Sequence, residues 1–212
     1  RMARSQVTGY GHPVTTGSPE MDYYIGGTDV EDKDHRYRER LLLIPGLGVD
    51  TAPPPAPSPG VSRPDDNVLR LVSLASFDKL NYQMLQAWRE VVSSAPGTVE
   101  VHLFPSAPRN LRPQIASILG QYFSQDTLHL HYDADRQECV DTLATADIYL
   151  DSYPFGGYNT VVEALSVGCP IVTYRGRWAY QRIASTMVGK LGLAGSLVVT
   201  DWSSYVETAK RL

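Results

Sequence analysis

From residue 68 onward the chain alternates between short apolar runs and stretches in which apolar side chains return every three or four residues. The first pattern is that of a buried strand and the second that of a helix with one buried face. Val68 to Leu74 reads as a strand, and Asn81 to Ser93 as a helix with Met84, Leu85, Trp88, Val91 and Val92 on one side. Strands follow at Val99 to Phe104, Thr127 to His131, Asp147 to Asp151, Pro170 to Tyr174 and Leu197 to Val199. Between them lie helices over Arg109 to Tyr122, Asp135 to Thr145, about Tyr158 onward, Ala179 to Gly189 and Ser203 to Leu212. Asp135 and Glu138 have the spacing of a capping box. Strict alternation of this kind predicts an α/β fold, a Rossmann-like parallel sheet with helices on both faces. No repeat of solenoid period occurs.

Upstream the pattern is looser. Gln6 to Tyr10 resembles the end of a strand, and Gly11 to Pro19 is a loop rich in glycine and proline. Met21 to Ile25 predicts a second short strand, Asp29 to Arg40 a charged surface helix, and Leu41 to Ile44 a buried strand stopped by Pro45. Thr51 to Asp66 holds six prolines, at 53, 54, 55, 57, 59 and 64, and is expected to run extended as a linker. The boundaries are therefore 1–50, 51–66 and 67–212. The chain opens abruptly and closes in mid-helix at Lys210-Arg211-Leu212, and reads as a fragment of something longer.

Composition narrows the function. A hydrophobic content of 42% over 212 residues suits one good core, and a net charge of -4 gives no broad basic field. Nucleic-acid binding and electrostatic membrane attachment are not expected. No apolar run approaches the length of a span and no leader precedes the fold, so a cytoplasmic location is expected. Cys139 and Cys169 have neither zinc nor disulfide spacing and should be buried, reduced thiols.

Ala146 to Leu165 combines strand, glycine turn and helix start. The first N–H groups of a helix lack intrahelical partners and its dipole is positive there, so Tyr158, Asn159 and Thr160 sit where a phosphate would be held. Glu163, one turn in, would accept from sugar hydroxyls. The alternative is an ordinary turn with Asn159 or Thr160 as the cap. Lys79, read as lying at a helix start, is unfavourable for the dipole unless an anion shares the site; otherwise it is a solvated partner of Asp78. Ala134 and Arg136 follow another strand, so three loops converge on the carboxyl ends of the sheet. His12, locked between Gly11 and Pro13, is aimed rather than floppy. Asp133-Ala134-Asp135 fits an Asp-x-Asp metal motif, although Asp135 already serves as a cap. His129 and His131 alternate on one strand with no third ligand nearby in sequence, and read as one polar face at an edge or rim. There is no Walker-type loop, and Gly9-Tyr10-Gly11 is not a dinucleotide fingerprint.

Gly11-His12-Pro13-Val14-Thr15-Thr16, Met21-Asp22-Tyr23, Lys79 nine residues before Trp88, and Leu150 to Thr160 through Gly168 to Thr173 together resemble the O-GlcNAc transferase family of GT-B glycosyltransferases. The resemblance implies metal-free, inverting transfer from a UDP-sugar to a protein acceptor, with no cofactor beyond the donor. It makes 67–212 the UDP-sugar-binding domain and 1–50 the end of the N-terminal half, and it puts the catalytic base and most of the acceptor surface upstream. The fragment alone is not expected to turn over. Lys79 matches the lysine on the UDP phosphates, and Ser76 a polar neighbour of the same phosphates. Ala134 and Arg136 match the loop around the uracil, Tyr158, Asn159 and Thr160 the helix start under the phosphates, and Glu163 the ribose ligand. Gly11, His12 and Pro13 match the loop facing the donor, which makes Lys79 and His12 the catalytic candidates. Tyr158-Asn159 replaces the His-Thr of the animal enzymes, and Cys139 a histidine near the base. The Phe-Gly-x-x-Asn form resembles the bacterial asparagine N-glucosyltransferases, so Ser/Thr O-transfer has an N-glucosyl alternative. A small-molecule acceptor and a non-catalytic nucleotide or interaction module are further alternatives.

Overall fold

The computed structural model describes residues 3–11, 13–32 and 36–212. Two parallel sheets form. The smaller has β1 (Val7–Thr8), β2 (Tyr23–Gly27) and β3 (Arg40–Ile44) in sequential order. The larger contains β4 (Val68–Ser73), β5 (Thr98–Leu103), β6 (Leu128–Leu130), β7 (Ile148–Leu150), β8 (Ile171–Tyr174) and β9 (Val198–Val199), ordered β6-β5-β4-β7-β8-β9. The crossovers carry α1 (Tyr82–Ser94), α2 (Arg112–Leu119), α3 (Arg136–Thr145), α4 (Asn159–Ser166), α5 (Ile183–Lys190), the short α6 (Ala194–Leu197) and finally α7 (Trp202–Arg211).

The larger sheet is covered on both faces, and its central strands show this in side-chain alternation. In β4, Leu71 enters a core with Met84, Trp88, Leu103 and Tyr205, while its neighbour Val72 enters a second core with Tyr149, Val161, Ile171 and Val188. Ile148 and Leu150 of β7 face the first core and Tyr149 the second. Each helix stripe fills one side, as the periodicity predicts.

Four local readings are corrected. The strand at Leu41 to Ile44 forms, but as the edge of the smaller sheet it leaves Leu42, Leu43 and Ile44 exposed rather than buried. Asp29 to Arg40 forms no helix among its described residues; Val30 is the single strongly apolar residue before Tyr37, too few for a buried stripe. Its charges instead tie outward, Asp29 to Lys190 at 2.5 Å and Asp32 to Arg182 at 3.0 Å, while Tyr37 stacks on Tyr24 at 4.2 Å. Lys79 does not open a helix: it ends a 3-10 turn, Phe77–Lys79, and α1 begins later with Asn81 as its cap, accepting from the Met84 N–H at 3.1 Å. The dipole conflict read from the sequence is therefore absent. Arg109–Leu111 is likewise a separate 3-10 turn, and α2 starts where Pro113 fits its first turn.

The proline-rich segment has no regular structure but is strapped along α3. Ala56 O accepts from Gln137 Nε2 at 2.9 Å, Ser58 N–H donates to Asp141 at 2.8 Å, and Arg63 pairs with Asp147. Among the described residues no helix is long and apolar enough to cross a membrane.

Candidate functional site

Strand order reverses direction between β4 and β7, since the chain adds β5 and β6 on one side of β4 and then β7, β8 and β9 on the other. In open α/β sheets the crevice at the carboxyl ends of two such strands is where ligands bind. The loops leaving β4 and β7 carry Lys79 and the glycine turn.

At the end of β7 stands Asp151, 1% exposed. Its Oδ1 accepts from the Gly157 N–H at 2.9 Å and its Oδ2 from Thr173 Oγ1 at 2.7 Å. Burial lifts this carboxyl to about 6, opposed by the Gly157 and Thr173 hydrogen bonds and by the Lys79 charge. The turn that follows is held on both flanks. Asn81 Nδ2 donates to Tyr153 O at 2.6 Å, and Ser152 Oγ to Phe155 O at 2.7 Å. Lys79 Nζ lies 5.1 Å from the centre of the Phe155 ring, a cation–π contact. Burial depresses the lysine, while Asp151 and Asp78 pull it back up. Ser76 belongs to the same turn, its carbonyl accepting from the Lys79 N–H at 3.0 Å.

Gly157 is required by close approach. A Cβ there would lie 2.1 Å from Thr160 Oγ1, 3.2 Å from Val161 and 3.3 Å from the Tyr149 hydroxyl. Thr160 is hydrogen-bonded to buried Tyr149, so it cannot swing away without a loss. Gly157→Ala should destabilise the fold by about 1–3 kcal/mol, read by urea unfolding, and displace the first turn of α4.

Tyr158 occupies the cap position of α4, and Asn159 is its first helical residue; neither Asn159 nor Thr160 caps the helix. Asn159 Oδ1 instead accepts from Thr51 Oγ1 at 2.7 Å. The Tyr158 hydroxyl donates to Val49 O at 3.0 Å and its ring meets Tyr10 at 5.1 Å, which brings the loop at Gly11 against the start of α4. Pro13 joins Tyr10, Gly27, Leu47, Phe155 and Tyr180 in lining the cleft between the two sheets. His12 lies outside the described residues.

On the far side, Asp135 caps α3 by accepting from the Glu138 N–H at 2.9 Å, and Arg136 opens the helix. Arg136 Nε donates to Glu163 Oε1 at 2.8 Å and Nη2 to Ala52 O at 3.3 Å. Glu163 is 6% exposed, and its carboxylate has lone pairs left for a hydroxyl. Ala134 packs against the second core beside them. Asp133 is held by Arg112 in a two-pronged pair at 2.7 and 2.5 Å, so the Asp-x-Asp carboxylates are both engaged in structure. Cys139 and Cys169 are free thiols pushed up by burial, to about 11 and about 12.

The loops after β4, β6 and β7 thus meet around one crevice, roofed by the segment at Val49 to Ala52. The sequence reading assigns Asp151, Phe155 and Thr51 no role in the site. Asp151 alone leaves a sequence signal, an acid closing an apolar strand just before a glycine turn.

Comparison with known proteins follows the same lines. No family model matches the sequence. The chain is 28% identical over 219 residues to the rice (Oryza sativa subsp. japonica) protein named Probable UDP-N-acetylglucosamine–peptide N-acetylglucosaminyltransferase SPINDLY, covering 99% of this chain and 23% of that one. It is 24% identical over 216 residues to the UDP-glucose:protein N-beta-glucosyltransferase of Actinobacillus pleuropneumoniae serotype 5b (strain L20), covering 100% of this chain and 35% of the other. In three dimensions an O-GlcNAc transferase mutant from Thermobaculum terrenum superposes with a TM-score of 0.80 at 24% identity, over 99% of this chain and 40% of its own. That likeness gives the fold, the GT-B arrangement expected from the sequence. The chain is thus similar along its whole length to proteins named as UDP-sugar-dependent protein glycosyltransferases, and spans about a quarter of the length of its plant relatives.

Proposed function

We propose that this chain binds the nucleotide-sugar donor of a protein glycosyltransferase, and that the full enzyme moves GlcNAc or glucose from a UDP-sugar to a protein Ser/Thr hydroxyl with inversion and without a metal. The observation that carries this reading is the convergence of Lys79, the start of α4 and the Arg136–Glu163 pair on the crevice between β4 and β7. Lys79 and the first N–H groups of α4 supply positive potential for a diphosphate. As the bond from the sugar C1 to the β-phosphate oxygen breaks, charge grows on that oxygen, and the half-buried Lys79 ammonium stabilises it; such a donor commonly contributes about 3–4 kcal/mol. Glu163 is suited to the ribose hydroxyls, and Ala134 and Arg136 to the base. His12 would face the sugar from the opposite loop. We assign proton removal from the acceptor, and recognition of the acceptor protein, to the longer protein. A cytoplasmic setting with no nucleic-acid or membrane partner fits the charge of -4.

Asn159 and the N-glucosyltransferase homologue favour a second reading, UDP-glucose-dependent transfer to asparagine. Titration of UDP into the chain without metal should give micromolar binding, at least about tenfold weaker in Lys79→Ala, a difference of about 1.4 kcal/mol. A folded chain that bound UDP as tightly without the lysine would overturn the placement of the phosphates.

A further inference from the structure

The parallel register of β5 and β6 joins what the sequence separates. His102 is paired with His129 across the two strands; Glu100 lies two residues before His102 on the same face of β5, and His131 follows directly after β6, two residues past His129. The rings form a row: His102 stacks on His129 at 4.7 Å and on His131 at 5.3 Å, and Phe104 closes the end against His131 at 4.3 Å. The third ligand missing from the sequence reading of His129 and His131 is supplied by the neighbouring strand.

Proton accounting along this row leaves a deficit. His131 Nδ1 is 3.1 Å from Glu138 Oε1, His131 Nε2 is 3.1 Å from His102 Nδ1, and His102 Nε2 is 3.3 Å from Glu100 Oε2. A carboxylate only accepts, so the His131 Nδ1–H donates to Glu138. Neutral His131 then accepts at Nε2, and His102 must donate from Nδ1. That leaves a lone pair on His102 Nε2 aimed at a carboxylate oxygen that also only accepts. Arg70 Nε, 3.1 Å from the same Glu100 Oε2, already gives that carboxylate a donor and a charge, so the deficit is the unanswered lone pair of His102 Nε2. Nearby, His129 Nε2 is buried and has no hydrogen-bond partner. One added proton would satisfy His102 and Glu100 but leave His129 Nε2 unanswered. A metal cation answers both.

We propose that Glu100, His102 and His129 bind a divalent transition-metal ion of the zinc class. One ligand atom from each lies within 4.8 Å of the other two. Two imidazoles and a carboxylate suit a borderline ion such as Zn²⁺, with water in the fourth position. Bonds of about 2.0–2.1 Å would space the ligand atoms roughly 3.4 Å apart; the His102 and His129 rings, stacked within 13° of parallel, must therefore turn on binding so that their in-plane lone pairs meet at the ion. His131 and Glu138 then form the outer carboxylate–histidine relay that fixes the His102 tautomer. The ion is structural in this assignment. It sits at the edge of the sheet and pins His131, from which the chain runs directly into the loop of Ala134 and Arg136. The inference does not depend on the proposed transferase activity.

The test is titration of Zn²⁺ into the tag-free chain at neutral pH, with Co²⁺ as a spectroscopic probe. One equivalent should bind, the Co²⁺ form should show tetrahedral bands without a thiolate charge-transfer band from Cys139 or Cys169, and Glu100→Gln and His129→Asn should each weaken binding at least about tenfold. Zn²⁺ should also shift the imidazole resonances of His102 and His129 in the unsubstituted chain, a reading that stands even where a variant fails to fold. Absence of saturable binding, a thiolate band, or affinity unchanged in both variants would overturn the proposal. So would uptake of a proton only by the histidine row.

Discussion

Glu39→Gln should destabilise the protein by about 2–3 kcal/mol, although it changes a single atom, because hydrogen bonds to a charged acceptor are worth roughly 1.5–3 kcal/mol. Glu39 is 4% exposed and serves the loop that follows Gly11-His12-Pro13. Thr15 Oγ1 donates to Oε2 at 2.6 Å, the Thr16 N–H donates to Oε1 at 2.7 Å, and the Thr16 hydroxyl donates to Oε1 as well. The Thr15 hydroxyl is unable to turn round, and the Thr16 N–H keeps the amide oxygen on its own side. Thr15 Oγ1 already accepts from the Gly17 and Arg38 N–H groups at 3.2 and 3.1 Å, which uses both lone pairs, and Thr16 Oγ1 accepts from the Ser18 N–H at 3.1 Å. A glutamine amide would point an N–H at a group that has only a proton to offer. The loop would then release its hold.

The pH dependence follows. Burial works to raise the Glu39 carboxyl, but the Thr15 and Thr16 donors outweigh it and hold the group at about 2, against 4.5 ordinarily. A depressed acid contributes stability that is complete above the unfolded value and is lost as pH falls toward the folded one. Wild type should therefore lose stability between pH 4.5 and about 2 in a way the glutamine variant does not, measured by chemical unfolding at each pH. A variant with the same acid limb as wild type would show that Glu39 does not carry it.

How much of this was legible beforehand depends on whether the interaction is local. The six strands of the larger sheet and most of their helices follow from period-two and period-3.6 patterns within a single segment. So does the Asp135 cap, whose partner is three residues away. Asp29 to Arg40 misleads because charge alone resembles a surface helix, whereas its residues are committed to Lys190 and Arg182, more than a hundred positions away. Lys79 reads as a helix start because a 3-10 turn and a helix share the same opening chemistry. The Asn159–Thr51 and Arg136–Glu163 contacts, and the histidine row, join residues on different crossovers; only the strand order brings them together. Asp151 is hidden for a related reason: Gly157 lies across an irregular turn, and Thr173 lies on β8, past α4.

Asp151→Asn should act in the opposite sense to Glu39→Gln, raising stability by about 2–3 kcal/mol at pH 7 and by only about 0.5 kcal/mol at pH 4. Here the donors permit the exchange. The Gly157 N–H needs an oxygen and keeps one, while Thr173 Oγ1 is a hydroxyl that can accept from the new amide instead of donating. What disappears is a charge in a fully enclosed place. The Asp151 carboxyl is lifted from 3.8 to about 6 chiefly by burial, so the folded state holds its proton more tightly than the unfolded chain does. Stability from this group is greatest below 3.8, falls as pH rises to about 6, and stays low above that. Retaining so unfavourable a charge makes sense through Lys79. Burial alone would drive that lysine toward its neutral form, and Asp151 is the leading influence that restores its charge. The asparagine variant should thus melt higher at neutral pH yet bind a UDP-sugar more weakly, with the difference widening as pH rises and Lys79 loses its proton earlier. Unfolding at pH 4 and 7, paired with donor titration across the same range, separates the two effects. A variant that gained stability and lost no affinity would mean that Asp151 supports the turn at Gly157 and leaves Lys79 unaffected.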